Sequence, residues 1–186
     1  TRGNGGQNEI GPEIFEALGV LRTEELAALH RFDGAEQYFG RAVDFGYSFS
    51  IEETLEKWGR DEIIGDFVHL IRMVRPDVVI AQSPDGTGGG LHHQTTSLLS
   101  REAFKQAGDP TKYPEQVRGG LRAWQPKKFY IPAGRGGGPG GPGGGAPPAS
   151  ARQVLINLAV YDPLLGRTYS EIGTEARSMH KCQGQA

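Results

Sequence analysis

The sequence predicts an α/β fold with a mostly parallel sheet, and three observations support this fold class. Apolar residues recur at helical spacing over 61–75, and Pro76 ends the pattern. The β-branched run at 77–81 is typical of a strand buried on both faces. A further helix at 95–107 and a short strand at 129–131 follow. This succession of helix and strand indicates a parallel sheet.

Local signals predict further elements in the first part of the chain. Two short helical stretches follow Pro12, and the second begins at Thr23, since the two glutamates after it suit the partially positive start of a helix. The alternating segment 37–45 predicts a strand with its apolar residues packed inward. Residues 50–53, Ser-Ile-Glu-Glu, have the form of a capping box and predict a helix start.

The last part of the chain is predicted to hold one strand and one helix. Residues 154–160 have strand character. Residues 168–171, Thr-Tyr-Ser-Glu, form a second capping box that opens an amphipathic helix. We expect this helix to present His180 and Gln183 from one side of its last turn, because residues three apart on a helix are neighbours.

Length and composition are those of one ordinary domain. The 186 residues can bury a core without cross-links. We therefore expect a single domain over 1–186, with a flexible Gly/Pro-rich insertion at about 133–149. The net charge of −2 and the scattered basic residues argue against nucleic acid as a partner. No apolar run approaches the ~20 residues that cross a bilayer.

A pair of histidines is the sharpest chemical feature of the sequence. Cys182 is the only cysteine, so any metal must bind through histidine and carboxylate side chains. His92 and His93 follow a glycine-rich loop after the strand at 77–81 and stand before the helix at 95–107. Neutral imidazole is a strong zinc ligand. The alternative is that one histidine caps the helix and the other is simply exposed.

The chain resembles the PIG-L/LmbE deacetylase family in five blocks that occur in the family's order. These blocks are 1–8 (TRGNGGQN), 75–79 (RPDVV), 90–94 (GLHHQ), 161–169 (YDPLLGRTY) and 180–184 (HKCQG). The resemblance implies a Rossmann-like three-layer fold. It also implies a zinc ion bound by a His and an Asp of an early His-Pro-Asp-Asp block and by a later His. That early block is absent here, so we expect the chain to be truncated and to lack its first strand or strands.

The resemblance also implies roles for single histidines. The family's His-x-x-His placement aligns its last histidine with His93, which is thereby assigned as the zinc ligand. Its first histidine, which helps to stabilise the reacting carbonyl, falls on Gly90. His92 is a candidate to take over that catalytic role, with a supporting or surface role as the open alternative. His180, in the closing His-x-x-Gln block, is the second catalytic candidate.

Two further residues are expected to bind substrate. Arg2 matches the family's arginine after the second strand, where a fixed guanidinium can hold a hydroxyl, carboxylate or phosphate by paired hydrogen bonds. Gln183 closes the His-x-x-Gln block and is assigned to the sugar. For Arg2 the alternative is an ordinary surface ion pair, and for His180 and Gln183 it is a polar turn at a helix end.

The resemblance thus implies a zinc-dependent hydrolase that removes the acetyl group from an N-acetylglucosamine-type conjugate through a metal-bound water. The expected partner is a small-molecule N-acetylated amino sugar conjugate. The alternative is a carbohydrate-binding relative that has lost the metal, which Gly90 and Asn4 favour, since many relatives carry Glu at the position of Asn4. The group attached to the sugar, the oligomeric state and the cellular compartment are left open by the sequence.

Overall fold

The computed structural model describes residues 1–84, 90–132 and 154–184. The chain divides into two compact units. The terminal unit contains the described residues 1–39, 43–46 and 154–184, and the central unit contains 40–42, 47–84 and 90–132. In chain order the elements are α1 (Phe15–Leu29), α2 (Ile51–Trp58), α3 (Arg60–Val74), β1 (Val78–Ile80), α4 (Leu91–Gln106), α5 (Pro114–Arg118), β2 (Lys128–Tyr130), β3 (Tyr161–Asp162), β4 (Arg167–Thr168), α6 (Tyr169–Arg177) and a 3-10 helix (Lys181–Gln183).

The central unit contains a small parallel sheet. Strand β1 pairs with β2 in parallel, with Val79 opposite Phe129. The predicted α/β class is therefore confirmed at the level of a helix-rich chain with a parallel strand pair. Burial of β1 on both faces is wrong, because Val78 and Ile80 are exposed. Among the described residues β1 has one neighbouring strand, β2. The three-layer Rossmann-like arrangement stays a prediction.

Three helices form the core of the central unit. Helix α3 follows the predicted apolar stripe and packs against α4. Ile64, Val68, Leu99 and Ala103 from these two helices are buried. Helix α2 starts as expected at Ser50, whose side chain accepts the Glu53 N–H. Helix α4 begins at Leu91, one turn before the predicted start.

Helix α3 also carries a buried arginine. Arg72 is 1% exposed. Its guanidinium makes five hydrogen bonds, which satisfy all five N–H donors of the side chain. The acceptors are the carbonyl oxygens of Ala107, Asp109, Lys112 and Tyr113 and the side-chain oxygen of Gln116. These bonds fasten the turn after α4 and the start of α5 to α3.

The terminal unit begins with one continuous helix, α1, where two short helices were predicted. Thr23 lies inside α1, and its hydroxyl donates to the Gly19 carbonyl at 2.7 Å. This bond one turn back along the helix lets a threonine sit mid-helix, so the residue does not cap a new start. Glu25, predicted to lie at a helix start after Thr23, lies inside α1 and is 6% exposed.

The rest of the terminal unit is built from a short hairpin and a helix. Strands β3 and β4 pair in antiparallel fashion. The capping box at Thr168 is confirmed, since its hydroxyl accepts the Glu171 N–H and the Glu171 carboxylate accepts the Thr168 N–H. The strands predicted over 37–45 and 154–160 are wrong, because neither segment forms a ladder with another described segment. An alternating or apolar run needs a partner strand to become one.

Two further sequence predictions concern the chain as a whole. The insertion predicted at about 133–149 lies outside the described residues, and the single-domain organisation stays a prediction. Among the helices of the described ranges, none combines the length and the hydropathy needed to cross a membrane.

Candidate functional site

The histidine pair lies in the first turn of α4, in the central unit. Gly90 is the N-cap in an extended conformation, and its carbonyl accepts the His93 N–H at 3.0 Å. The His93 side chain belongs to an exposed residue. The His92 ring is half-buried and packs on Trp58 of α2, with ring centroids 4.9 Å apart. Of the two imidazoles, His93 is therefore the more accessible to a ligand.

Two side chains of α4 anchor the segment that leaves β1. The Ser97 hydroxyl donates to the Gln82 carbonyl at 2.5 Å, and the Gln94 amide donates to the Pro84 carbonyl at 2.8 Å. These bonds hold the start of the glycine-rich loop against the helix that carries the histidines. The pair thus follows the carboxyl end of a parallel strand, where ligands bind in α/β sheets. The middle of the loop, 85–89, lies outside the described residues.

Among the described residues His93 has an exposed imidazole, and no complete zinc site is formed. His93 is exposed at the start of a helix and is free of packing constraints that would bury its ring. Within 1–84, 90–132 and 154–184, no group of three His, Cys, Asp or Glu side chains could hold a metal. The fit is therefore that of a single ligand, His93, and the predicted partners belong to the family block that this sequence does not contain.

Arg2 lies in the terminal unit beside α1. Its guanidinium donates to the Thr23 hydroxyl at 2.9 Å and lies 4.0 Å from the centre of the Phe39 ring. The hydrogen bond and the cation–π contact both restrict the exposed side chain. The contacts of Arg2 among the described residues are thus a hydroxyl and an aromatic ring, and they do not form the surface ion pair given as the alternative.

The His-x-x-Gln block adopts a turn where one helical face was predicted. Helix α6 ends at Arg177, and His180 has φ −75° and ψ 67°. The Lys181 N–H donates to the Met179 carbonyl at 2.9 Å, which closes an inverse γ-turn around His180. Gln183 is exposed on the 3-10 helix that follows. The shared helix face predicted for His180 and Gln183 is wrong, because the helix stops before it reaches them.

Glu25 is a residue of this region that the sequence analysis missed. One carboxylate oxygen, Oε1, accepts the Cys182 N–H at 2.7 Å, and the other, Oε2, lies 3.8 Å from Nδ1 of His180. Arg22 and Glu25 are three apart on α1 and so share a face. That spacing was the available signal. Glu24 and Glu25 were instead predicted to lie at the start of a helix.

Burial controls the titration of the closing block. Burial lowers the pKa of His180, and the nearby Arg177 and Arg22 lower it further, against the opposing effect of Glu25. At neutral pH the imidazole is therefore uncharged. Burial also raises the pKa of the Cys182 thiol, and the Glu25 carboxylate adds to the rise. Cys182 is thus a protonated, buried thiol, the opposite of a reactive cysteine.

The predicted site residues fall into two groups. His92 and His93 belong to the central unit, and Arg2, His180 and Gln183 belong to the terminal unit. In the terminal unit Arg2 and His180 both contact residues of α1, namely Thr23 and Glu25. The catalytic, metal-binding and substrate-binding roles of the five residues stay predictions.

Sequence comparisons place the chain among known proteins. The family model described as PIG-L, GlcNAc-PI de-N-acetylase, matches residues 1–104. A 1D-myo-inositol 2-acetamido-2-deoxy-alpha-D-glucopyranoside deacetylase of Streptomyces avermitilis is 32% identical over 57% of this chain and 39% of its own length. A protein of the same description from Streptomyces scabiei is 29% identical, over 57% and 36%. A mycothiol S-conjugate amidase of Streptomyces coelicolor is 28% identical, over 65% and 43%.

The extent of these matches decides what they show. The chain spans less than half of the length of the curated relatives it matches. The family segment includes Arg2, His92 and His93, whereas His180 and Gln183 lie beyond it. Because that segment covers more than half of the 186 residues, the chain belongs to the PIG-L (GlcNAc-PI de-N-acetylase) family.

Proposed function

We propose that the protein is a zinc-dependent hydrolase that removes the acetyl group from an N-acetylglucosamine-type conjugate. The observation that carries the proposal is the family match over 1–104, which contains the histidine pair and the Arg2 loop. Two of the relatives are by description deacetylases of an acetamido sugar joined to inositol, and a third is an amidase. All three descriptions name the cleavage of an amide or the removal of an acetyl group.

His93 is the residue of this chain that would hold the zinc ion. Its exposed ring at the start of α4 is accessible to a ligand, and it follows the carboxyl end of β1. A zinc ion bound there would lower the pKa of a bound water to ~7 and so supply a nucleophile for amide hydrolysis. The proposal requires further ligands and a general base, which the resemblance assigns to a His-Pro-Asp-Asp block that these 186 residues do not contain.

The other site residues would bind the substrate and move protons. Arg2, restricted by Thr23 and Phe39, presents a planar guanidinium suited to a sugar hydroxyl or an anionic substituent. The Gln183 amide can donate and accept hydrogen bonds to a sugar hydroxyl. His180 is neutral at pH 7 and can therefore accept a proton. His92, packed on Trp58, has less freedom to approach a reacting carbonyl.

A specific observation favours the second candidate function, a non-catalytic carbohydrate-binding relative. Gly90 stands where the family has the first histidine of its pair, and it serves here as the N-cap of α4. Among the described residues, no atom lies within 4 Å of a Cβ placed on Gly90. A histidine at this position would therefore meet no steric obstacle among the described residues, so its replacement is not explained by packing.

Metal analysis and acetate release by the full-length protein test the proposal. We expect about one zinc per chain and release of acetate from an N-acetylglucosaminyl inositol. His93→Ala should lose the zinc and reduce turnover to background, because the metal generates the nucleophile. His69→Ala, a change of another exposed histidine in the central unit, is the matched control and should keep both properties.

Two outcomes would contradict this function. Unchanged turnover in His93→Ala would remove the metal assignment. Binding of the sugar conjugate by a zinc-free protein without acetate release would instead establish the non-catalytic alternative.

A further inference from the structure

Glu25 is a buried carboxylate that the proposed reaction does not use. It lies in the interior of α1 and is 6% exposed. Transfer of a charged carboxylate into a protein interior is unfavourable unless partners replace its water. Oε1 has such a partner, the Cys182 N–H at 2.7 Å. Among the described residues Oε2 has no hydrogen-bond partner. One oxygen of the carboxylate is therefore structural, and the other is available.

The His180 imidazole lies near the available oxygen. Its Nδ1 lies 3.8 Å from Oε2, within ion-pair range but beyond a direct hydrogen bond. Hydrogen bonds of catalytic groups are often long in the absence of substrate. The inverse γ-turn fixes the backbone of His180, and the Cys182 N–H bond holds the following residues on α1. The turn at His180 and helix α1 thus hold the imidazole and the Glu25 carboxylate near each other.

A neutral imidazole has one N–H, and its neighbours decide which nitrogen carries it. Burial lowers the pKa of His180, so the neutral form prevails at pH 7. An acceptor oxygen facing Nδ1 favours the tautomer with the hydrogen on Nδ1. The other nitrogen, Nε2, is then the one that can accept a proton or a hydrogen bond.

We propose that Glu25 is a positioning residue for His180, holding the imidazole in the tautomer that carries its hydrogen on Nδ1 and leaves Nε2 as a proton acceptor for the amino sugar substrate. The catalytic part of this inference rests on the proposed deacetylase function. Glu25 itself touches no substrate in this scheme. It acts on the reaction through the orientation and tautomer of His180, in the way that carboxylates act on catalytic and metal-bound histidines in general.

A merely structural role is the alternative, in which Glu25 only anchors the Cys182 N–H. Glu25→Gln separates the two roles. The glutamine oxygen can still accept the Cys182 N–H, while its amide NH₂ would face Nδ1 as a donor and favour the opposite tautomer. The structural role predicts little change from this substitution, and the positioning role predicts a change of tautomer. Glu24→Gln, the same change at the exposed neighbour on α1, is the matched control.

The primary experiment measures the imidazole nitrogen chemical shifts of His180 in the full-length protein labelled on histidine, with His180→Gln used to assign the signal. We expect the Nδ1–H tautomer in the wild type and in Glu24→Gln, and the Nε2–H tautomer in Glu25→Gln. Acetate release should fall by about 10–100-fold in kcat in Glu25→Gln, the usual effect of removing such a partner, with KM within about twofold of the wild type.

Each outcome decides the inference. An Nε2–H tautomer in the wild type overturns it, and this outcome does not depend on the folding of Glu25→Gln. An unchanged tautomer and kcat in Glu25→Gln, or a loss of kcat that Glu24→Gln shares, also overturns it. An active enzyme whose His180→Gln variant keeps full kcat removes the catalytic part while the proposed function stands. If the wild type releases no acetate, the proposed function fails, and the tautomer still decides whether Glu25 sets the state of His180.

Discussion

The central unit carries a buried arginine on α3 and the terminal unit a half-buried arginine on α1, and the two differ in their hydrogen bonds. In the central unit all five donors of Arg72 are paired. In the terminal unit Arg22 reaches one carbonyl, that of Gly3, at 3.4 Å. Its Nε and Nη2 are buried and have no hydrogen-bond partner among the described residues. Oε2 of Glu25, on the same face of α1, is in the same condition.

The difference is that Arg72 supports the fold through its hydrogen bonds, whereas two side-chain nitrogens of Arg22 make none among the described residues. Buried polar groups in native proteins are nearly always paired, so an unpaired one requires an explanation. Arg72 needs none, because its bonds fasten a whole turn to α3. Arg22 and Glu25 lie beside the His180 block, which is one of the segments that resemble the deacetylase family.

The largest expected effect is that of Arg72→Met, which removes the arginine whose donors are all hydrogen-bonded. Five hydrogen bonds of the guanidinium would be lost, and each bond of this kind contributes about 0.5–1.5 kcal/mol to stability. We expect a loss in the free energy of unfolding on the order of 3 kcal/mol or more. Urea denaturation measures it. Arg101→Met, at an exposed position of α4, is the control and should stay within about 0.5 kcal/mol of the wild type.

The next effect in size is that of Thr168→Ala, which removes the capping box at the start of α6 in the terminal unit. The hydroxyl of Thr168 and the carboxylate of Glu171 satisfy two backbone donors at the start of α6. Loss of an N-cap of this kind costs about 1 kcal/mol. Thr168→Ser keeps the hydroxyl and should unfold at the same urea concentration as the wild type. Equal losses in both variants would show that the cap bond is not the cause.

A smaller effect is expected for Arg22→Met, the same substitution as at Arg72 but at the unpaired arginine. Only one long hydrogen bond is lost, and a buried charge is removed. The change in the free energy of unfolding should stay within about 1 kcal/mol of zero. A loss as large as that of Arg72→Met would mean that the two arginines contribute equally to the free energy of unfolding.

The smallest effect concerns pH, and it has opposite signs at two histidines of the terminal unit. Burial lowers the pKa of His180, which faces Glu25, Arg22 and Arg177. Its contribution to stability is therefore complete above the ordinary value of about 6.5 and is lost as the pH falls below it. The hydrogen bond to Asp33 raises the pKa of His30, whose contribution is present below 6.5 and is lost as the pH rises through the folded value.

Proton NMR titration of the two imidazoles measures both directions. His180→Gln should remove the loss of stability on the acid side, and His30→Gln should remove the loss on the alkaline side. Parallel titration of the two rings would contradict the electrostatic difference described here.

Much of the fold followed from local sequence signals. The apolar spacing of α3 and the helix starts at Ser50 and Thr168 depend on contacts within a few residues, and these predictions were confirmed. The strand predicted at 129–131 was also confirmed, as β2, which pairs with β1. The failures depend on distant partners. The segments 37–45 and 154–160 had the pattern of strands, but neither forms a ladder within the described residues. Strand β1 does pair with β2, but Val78 and Ile80 are exposed, so the predicted burial on both faces is wrong.

The candidate site divides in the same way. The approach of His92 and His93 to the end of β1 followed from the order of strand, glycine loop and helix. The pairing of Glu25 with the His180 block could not be predicted, because no local pattern reports a contact between residues so far apart in sequence. The end of α6 before His180 was also hidden, since the helical spacing of the apolar residues continues to Met179.

The bond between Glu25 and Cys182 joins residues 157 positions apart. On the ribosome Glu25 is synthesised 157 residues before the peptide group that pairs with it. Until that group is made, the Cys182 N–H cannot satisfy the Glu25 carboxylate. Because closing so long a loop is entropically costly, we expect this contact to form later than the local contacts of α1. A nascent chain stalled before Cys182 would present that acid to solvent or to a chaperone.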